Sequence, residues 1–300
     1  MMDKVTILLV PFALLFYSCS SGSRELDVPN SEHLYMNAIA PHSSLHLEVE
    51  TGVTLPIIGG DAKQERKIEL TALHNNEPVV EKRTSSGFVL QLDRRLDVGD
   101  KIRLTATSEK LPPVYAEAQV LEAPKLYGAT GEWITSEEGM RRVQVQLSIE
   151  PTKEVAYYRV IVRSDWYSES IGMPVPELKE REIITFGNPL FPQPKDQLFN
   201  EASNAPFALI STQNQSDLIF SYYDVKIENS SEAPFQIDWK YTAQVELQRI
   251  SKDYYLYLLT CMESDNNNAF ENPIKVHSNV RGGFGIFEIY SPAITTLSIQ

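Results

Sequence analysis

The two cysteines of the chain, Cys19 and Cys261, are the first residues to consider for chemistry, because Cys19 directly follows an apolar run. A cysteine there could form a disulfide, act as a reactive thiol or accept a lipid. The run at 5–16 holds about a dozen residues, whereas a helix that crosses a bilayer needs about 20. Ser18 supplies the small residue that a signal peptidase requires before its cleavage point. We predict a lipoprotein signal peptide over 1–18 and lipidation at Cys19.

The segment FYSC at 16–19 resembles a lipobox, in which the cysteine receives diacylglycerol before cleavage. Phe16 replaces the usual leucine and Tyr17 is bulky, so an ordinary secretory signal followed by a free cysteine remains the alternative. Two or three acyl chains hold a protein durably, at about 0.8 kcal/mol per buried methylene. The mature protein is therefore expected to contact the membrane through its N-terminal lipid.

Metal-binding patterns are weak in this sequence. The five histidines stand at positions 33, 42, 46, 74 and 277, without the spacing of a zinc site. The run DNNN at 265–268 lacks the glycine and the final glutamate of a calcium loop. The sequence predicts no metal and no cofactor.

Catalytic motifs are equally scarce. No Gly-x-Ser-x-Gly elbow occurs, and carboxylates cannot be paired in space from sequence alone. The glycines at 282, 283 and 285 precede a predicted strand, whereas a phosphate loop leads into a helix. We predict that these glycines are structural and that the protein is not an enzyme, with a hydrolase of surface polymers as the weakest alternative.

Composition excludes one class of partner. Hydrophobic residues make up 42% and charged residues 22% of the chain, which is typical of a folded globular protein. The net charge of -13 disfavours nucleic acid, because affinity for nucleic acid depends on basic residues that neutralise phosphates. No nucleic-acid partner is expected.

Alternation of apolar and polar residues predicts strands from Leu34 onward, after a polar tether at 19–33. Examples are Leu47 and Val49, or Ile102 and Leu104, each separated by a polar residue. Turn residues separate the segments at short, regular intervals. The fold class expected is mainly β, with an N-terminal immunoglobulin-like β-sandwich over 34–124.

A second β-rich domain is predicted over 125–300. The segments 218–228 and 235–248 alternate and are interpreted as a hairpin joined at 229–231. One prominent helix is predicted at 251–264, with Ser251 as its N-cap. Its apolar stripe, which includes Leu258 and Cys261, is expected to be buried.

Between about 165 and 206 the chain is rich in proline and aromatic residues and has little alternation. A long loop inside a compact domain is often functional, and aromatic side chains are common anchors of interfaces. The candidate partner-binding residues are Trp166, Tyr167, Phe186, Phe191 and Phe199. The alternative is that some of these rings cap the core of the second domain.

The carboxy-terminal run carries a family resemblance. It contains Ser251 with Tyr254 and Tyr255, then Asn272-Pro273, then Ser278-Asn279, and finally Gly282-Gly283-x-Gly285-Ile286-Phe287. These residues resemble the Bacteroidota lipoproteins of the domain of unknown function 4249 family. The resemblance extends upstream to the lipobox and covers nearly the whole chain.

The resemblance implies a lipoprotein anchored in the outer membrane of the cell envelope, on its periplasmic or its surface-exposed face. It also implies an accessory or ligand-binding role beside a TonB-dependent receptor. We expect a non-catalytic binding protein on this basis. A surface adhesin or structural component is the alternative.

Overall fold

The computed structural model describes residues 32–54, 67–135, 141–173, 175–193, 204–225, 237–265 and 274–299. The predicted signal peptide, the lipidation site Cys19 and nearly all of the tether lie outside the described residues. So do Phe199 and the Asn272-Pro273 pair.

The strands of the first half are β1 (Leu34–Pro41), β2 (His46–Val53), β3 (Ile68–His74), β4 (Glu77–Pro78), β5 (Val80–Arg83), β6 (Gly87–Gln91), β7 (Lys101–Ser108) and β8 (Leu111–Gln119). The next group comprises β9 (Leu126–Thr135), β10 (Arg141–Ile149), β11 (Ala156–Tyr167), β12 (Lys179–Arg181), β13 (Ile183–Ile184), β14 (Asn204–Ala205), β15 (Ala208–Thr212) and β16 (Asp217–Tyr223), with a short 3-10 helix at Glu169–Ile171. The last elements are β17 (Lys240–Ile250), the helix α1 (Lys252–Asp265), β18 (Phe284–Thr296) and β19 (Ser298–Ile299).

These strands form three sheets within the described residues. The largest has the order β12-β11-β17-β18-β1-β2-β6-β5, with β15 also paired to β11; the second has the order β14-β13-β16-β10-β9-β19, and the third β4-β3-β7-β8. The third sheet packs on β1, β2 and β6 around one apolar core. The six-stranded sheet packs on β11, β15 and β17 around a second core. The prediction of a mainly β protein with one prominent helix is confirmed.

Strand β18 joins the two sandwiches. Its first half pairs with β1 in parallel, from Phe284 opposite Tyr35 to Tyr290 opposite Pro41. Its second half pairs with β17 in the antiparallel sense. Phe287 and Ile289 are buried in the first core although they lie near the end of the chain. The boundary at 124 stays a prediction, but the first sandwich includes this late strand.

The glycines before and within β18 allow it to approach β1 closely. Gly285 has a φ of +121°, and a Cβ atom there would lie 2.0 Å from the carbonyl oxygen of Met36. The Asn279 side chain accepts a hydrogen bond from the Phe287 N–H (2.9 Å) and donates one to the Phe287 carbonyl (2.8 Å). Gly285 and Asn279, both in the carboxy-terminal run, therefore fix the backbone of β18. The glycine has the structural role that was predicted for it.

Helix α1 begins after Ser251, whose Oγ accepts the N–H of Tyr254 at 3.1 Å, as an N-cap residue does. Ser251 also donates from its N–H (2.8 Å) and its Oγ (2.5 Å) to the carboxylate of Glu288. Glu288 is 2% exposed. Burial raises its pKa to about 7, because desolvation outweighs the hydrogen bonds from Ser251.

Two interpretations of the second domain are wrong in detail. Strands β16 and β17 do not form a hairpin: β16 pairs with β10 and β17 pairs with β11, in different sheets. Both strands bury one face in the same core from opposite sides, so alternation alone could not separate the two arrangements. On α1, Tyr254 and Tyr255 are buried, but Leu258 and Cys261 are only half-buried.

Candidate functional site: a groove on the six-stranded sheet

The loop at 185–193 carries two of the predicted aromatic anchors and is fixed by one side chain. Gln193 Nε2 lies within hydrogen-bond distance of the carbonyl oxygens of Thr185 (3.1 Å), Asn188 (2.8 Å) and Phe191 (3.1 Å), and its Oε1 accepts the Gly187 N–H (3.0 Å). Asn188 Nδ2 donates to the carbonyl of Ile219 on β16 at 2.9 Å. We call this segment the Gln193 loop; its hydrogen bonds hold it against the edge of the sheet.

The two phenylalanines of the Gln193 loop face opposite environments. Phe191 is 3% exposed and packs edge-on against Phe220, with ring centroids 6.3 Å apart. Phe186 is 48% exposed. Phe191 is therefore a core residue, which is the alternative that the sequence left open, while Phe186 remains available on the surface.

Phe186 lines a groove of about 670 Å³ on the outer face of the six-stranded sheet. The groove is lined by residues of β9, β10, β13 and β16, by the Gln193 loop and by Gln215 just before β16. The lining residues are Ile134, Arg142, Gln144, Ile184, Phe186, Gly187, Asn188, Pro189, Leu190, Gln215, Asp217, Ile219, Phe220 and Ser221. Apolar and polar groups therefore share one exposed surface.

Strand register explains how distant residues reach this face. Val143, Val145 and Leu147 of β10 point into the core, so Arg142 and Gln144 point outward, because side chains alternate along a strand. Across the ladder, Gln144 lies opposite Ser221, and Ser221 lies opposite Ile184 on the next strand.

The two ends of the groove carry opposite charges. At one end, Asp217 accepts hydrogen bonds from Ser216 and Ser148, both at 2.9 Å. These bonds, with one from Gln146, lower the pKa of Asp217, so its carboxylate is ionised at neutral pH. At the other end, the buried Nε of Arg142 has no hydrogen-bond partner among the described residues.

Trp166 and Tyr167 lie elsewhere and do not line the groove. Trp166 is half-buried, and its ring centroid is 4.8 Å from that of Tyr241 and 6.2 Å from that of Trp133. Its Nε1 donates to the Val225 carbonyl at 2.9 Å. Tyr167 is half-buried at the end of β11, opposite Lys240. The structure thus separates the predicted anchors instead of bringing them together.

The network next to Trp166 is internally satisfied. Asp224 Oδ2 accepts hydrogen bonds from Tyr241 (2.6 Å) and Ser164 (2.5 Å) and lies 3.3 Å from Arg181 Nε. Burial raises the pKa of Tyr241 far above its ordinary value. Because each of these groups has a partner within the protein, the network stabilises the second sandwich and offers little to a ligand.

A second cavity, of about 570 Å³, lies between β8 and the segment before β18. Its lining includes Arg103 and Glu117, which form an ion pair at 3.0 Å. It also includes Asp253, which lies 2.9 Å from His277 Nε2. These two pairs neutralise most of the charge on this cavity wall, although Arg281 also lines it. We regard the sheet groove as the stronger site because it also offers an exposed aromatic ring, that of Phe186.

Two features are absent from the described ranges. Within them, no group of three or more His, Cys, Asp or Glu side chains is placed to hold a metal ion. No helix there is both long enough and apolar enough to cross a membrane.

Sequence reasoning found Phe186 but missed the residues on the sheet itself. Arg142 and Gln144 fall in an alternating strand, RRVQVQLS, where outward polar residues usually only face solvent. The available signal was Ile219, an apolar residue at an outward position of β16 that is 46% exposed. One exposed isoleucine is ordinary on a protein surface, and Ile219 gains significance only because Ile184 and Phe186 line the same groove.

The fold and the groove define a double β-sandwich protein with a candidate binding groove on an outer sheet face. The chain belongs to the family described as domain of unknown function DUF4249, which matches residues 27–296. This confirms the family resemblance read from the carboxy-terminal motif.

Comparisons with curated proteins and with solved structures do not extend this assignment beyond the family. No curated protein matches the chain. Among solved structures, the crystal structure of collagen adhesin (CNA) from S. aureus is similar over 88% of this chain and 93% of that chain, with 11% sequence identity and a TM-score of 0.17. A similarity at that level carries no argument about function.

Proposed function

We propose that this protein is a non-catalytic accessory lipoprotein of the outer membrane that captures a ligand in the sheet groove. The observation that carries the proposal is Phe186, an aromatic side chain 48% exposed on a loop that Gln193 and Asn188 hold rigidly. A side chain held in place before binding loses less conformational entropy when a ligand packs on it.

The anchoring half of the proposal rests on Cys19 and the polar tether after it. A tether of about 15 residues can extend about 50 Å, which places the folded sandwiches clear of the lipid. A TonB-dependent receptor is the partner suggested by the family resemblance. In this proposal the accessory protein captures the ligand and the receptor transports it.

Photo-crosslinking in intact cells tests the proposal. Benzoylphenylalanine at position 186 keeps an aromatic ring in the groove, and irradiation should join it covalently to the captured ligand. The matched control carries the crosslinker at Val80, which is 69% exposed on the first sandwich. We expect an adduct at position 186 that is absent at position 80.

The same cells test the anchor. Cys19→Ala should abolish acyl labelling and release the protein from the membrane fraction, whereas Cys261→Ala should leave both unchanged. Equal adducts at positions 186 and 80 would refute the groove as the binding surface. Membrane retention with acyl labelling in Cys19→Ala would refute the anchor.

A further inference from the structure

Arg142 lines the groove, and its positive charge is not neutralised by a described residue. No ion pair within 4.0 Å joins it to a carboxylate in the part of the chain that the structure describes, and its buried Nε has no hydrogen-bond partner there. An arginine presents a planar set of donors that matches a carboxylate with two parallel hydrogen bonds. Arg142 lines the groove, so its guanidinium is a candidate partner for a carboxylate from outside the chain.

Three apolar side chains share the groove lining with this cation. Ile134 lies directly opposite Arg142 on β9, and Ile184 and Phe186 line the same groove. A carboxylate bound at Arg142 would therefore be joined to an apolar group that packs on these side chains. Burial of that group contributes about 25 cal/mol per Å² of apolar surface.

The far end of the groove carries a negative charge, the carboxylate of Asp217, and so complements a positively charged group of a ligand. Arg142 is in register with Tyr223 and Ser148 with Asp217, so the two charged ends are six residues apart on β16. At about 3.3 Å per residue this is about 20 Å, the span of an extended peptide of about six residues. Between them lie the amide of Gln144 and the hydroxyl of Ser221, which can bond to peptide groups.

We propose that the groove binds the carboxyl-terminal end of a short peptide, with the terminal carboxylate on Arg142, an apolar last side chain on Ile184 and Phe186, and the amino terminus toward Asp217. The inference rests on the proposed function and specifies its ligand. It requires no covalent step.

Calorimetric titration of the full-length protein in detergent tests the inference with defined probes. The probes are the peptide Ala-Gly-Ala-Gly-Ala-Phe as the free acid, the same peptide with a carboxyl-terminal amide, its N-acetyl form, and 3-phenylpropionate. We expect the free acid to bind at least about tenfold more tightly than the amide, because the amide loses the charge-assisted pair with Arg142. N-acetylation should weaken binding less, and 3-phenylpropionate should bind more weakly than the peptide.

Three variants test which residue causes each of these differences in affinity. Arg142→Gln should remove the preference for the free acid over the amide, and Asp217→Asn should remove the effect of N-acetylation. Arg103→Gln deletes the same charge from the other sandwich and should change neither. Equal affinity for acid and amide, retention of the preference in Arg142→Gln, or no binding of the free acid would each overturn the inference. Binding of 3-phenylpropionate as tight as that of the peptide would overturn the peptide as the ligand.

The experiments distinguish a wrong inference about the peptide from a wrong proposal that the groove captures a ligand. If the crosslink at position 186 forms and no peptide binds, the groove captures a different ligand and only the inference about its chemistry is wrong. If the crosslink is absent as well, the groove itself is not the binding surface.

Discussion

Gly285→Ala should destabilise the protein by at least about 4 kcal/mol, the largest effect expected of any single substitution in this account. At a φ of +121°, an alanine is strained even without a neighbour, and its Cβ would lie 2.0 Å from the Met36 carbonyl oxygen and 2.7 Å from Asn37 Oδ1. Because Met36 belongs to β1, the clash forces β1 and β18 apart. The first sandwich then loses the strand that carries Phe287 and Ile289.

Urea unfolding of the full-length protein, followed by near-ultraviolet circular dichroism, measures this loss. Gly99→Ala is the matched control: its φ is +92°, but nothing lies within 4 Å of the added carbon. The control should cost only about 1–2 kcal/mol, the strain of the backbone alone. Equal destabilisation by both variants would show that the close approach of β18 to β1 is not what requires a glycine at 285.

Phe191→Ala should destabilise the protein by about 3–5 kcal/mol, since it empties the space of a buried aromatic ring. The ring is 3% exposed and contacts the second core beside Phe220. The substitution also releases the Gln193 loop from the core, so thermal unfolding should begin at a lower temperature.

Phe186→Ala supplies the control for this prediction on the same loop. Its ring is half in solvent, so the variant should unfold within about 0.5 kcal/mol of the wild type. The prediction would be contradicted if Phe191→Ala were as stable as Phe186→Ala, because the Gln193 loop would then contribute nothing to the second core.

Local features of the fold were predictable because they depend on neighbouring residues. Alternation such as Ile102 and Leu104 around Arg103 identified the strands, since one face of each sheet is buried. Ser251 identified the start of α1 because its hydroxyl accepts a backbone N–H three residues on. These signals require no knowledge of which strands pair.

Pairing between distant strands was not predictable from the same signals. The side chain of Asn37 accepts the N–H of Ile286, 249 residues away in sequence. Strands β16 and β17 show the same alternation that a hairpin would show, yet they lie in opposite sheets around one core. Sequence patterns report which face is buried, whereas the partner strand is fixed by the packing of the whole domain.

The candidate site was half predictable for the same reason. Phe186 could be proposed from its place in a proline-rich segment, but Phe191 looked alike in sequence and is a core residue. Arg142 and Ile219 lie on separate strands and share a groove only through the register of β10 with β16. A site assembled on a sheet face leaves no continuous motif in the chain.

The central claim, that the groove captures a ligand, is tested most directly by native mass spectrometry of the full-length protein purified from the cells that naturally produce it. Wild type and Val175→Ala, which removes an equally apolar side chain 77% exposed outside the groove, should both retain a bound ligand mass. Phe186→Ala should lose that mass while its unfolding curve is unchanged. Full retention of the ligand by Phe186→Ala, or a wild type that carries no ligand, would contradict the account.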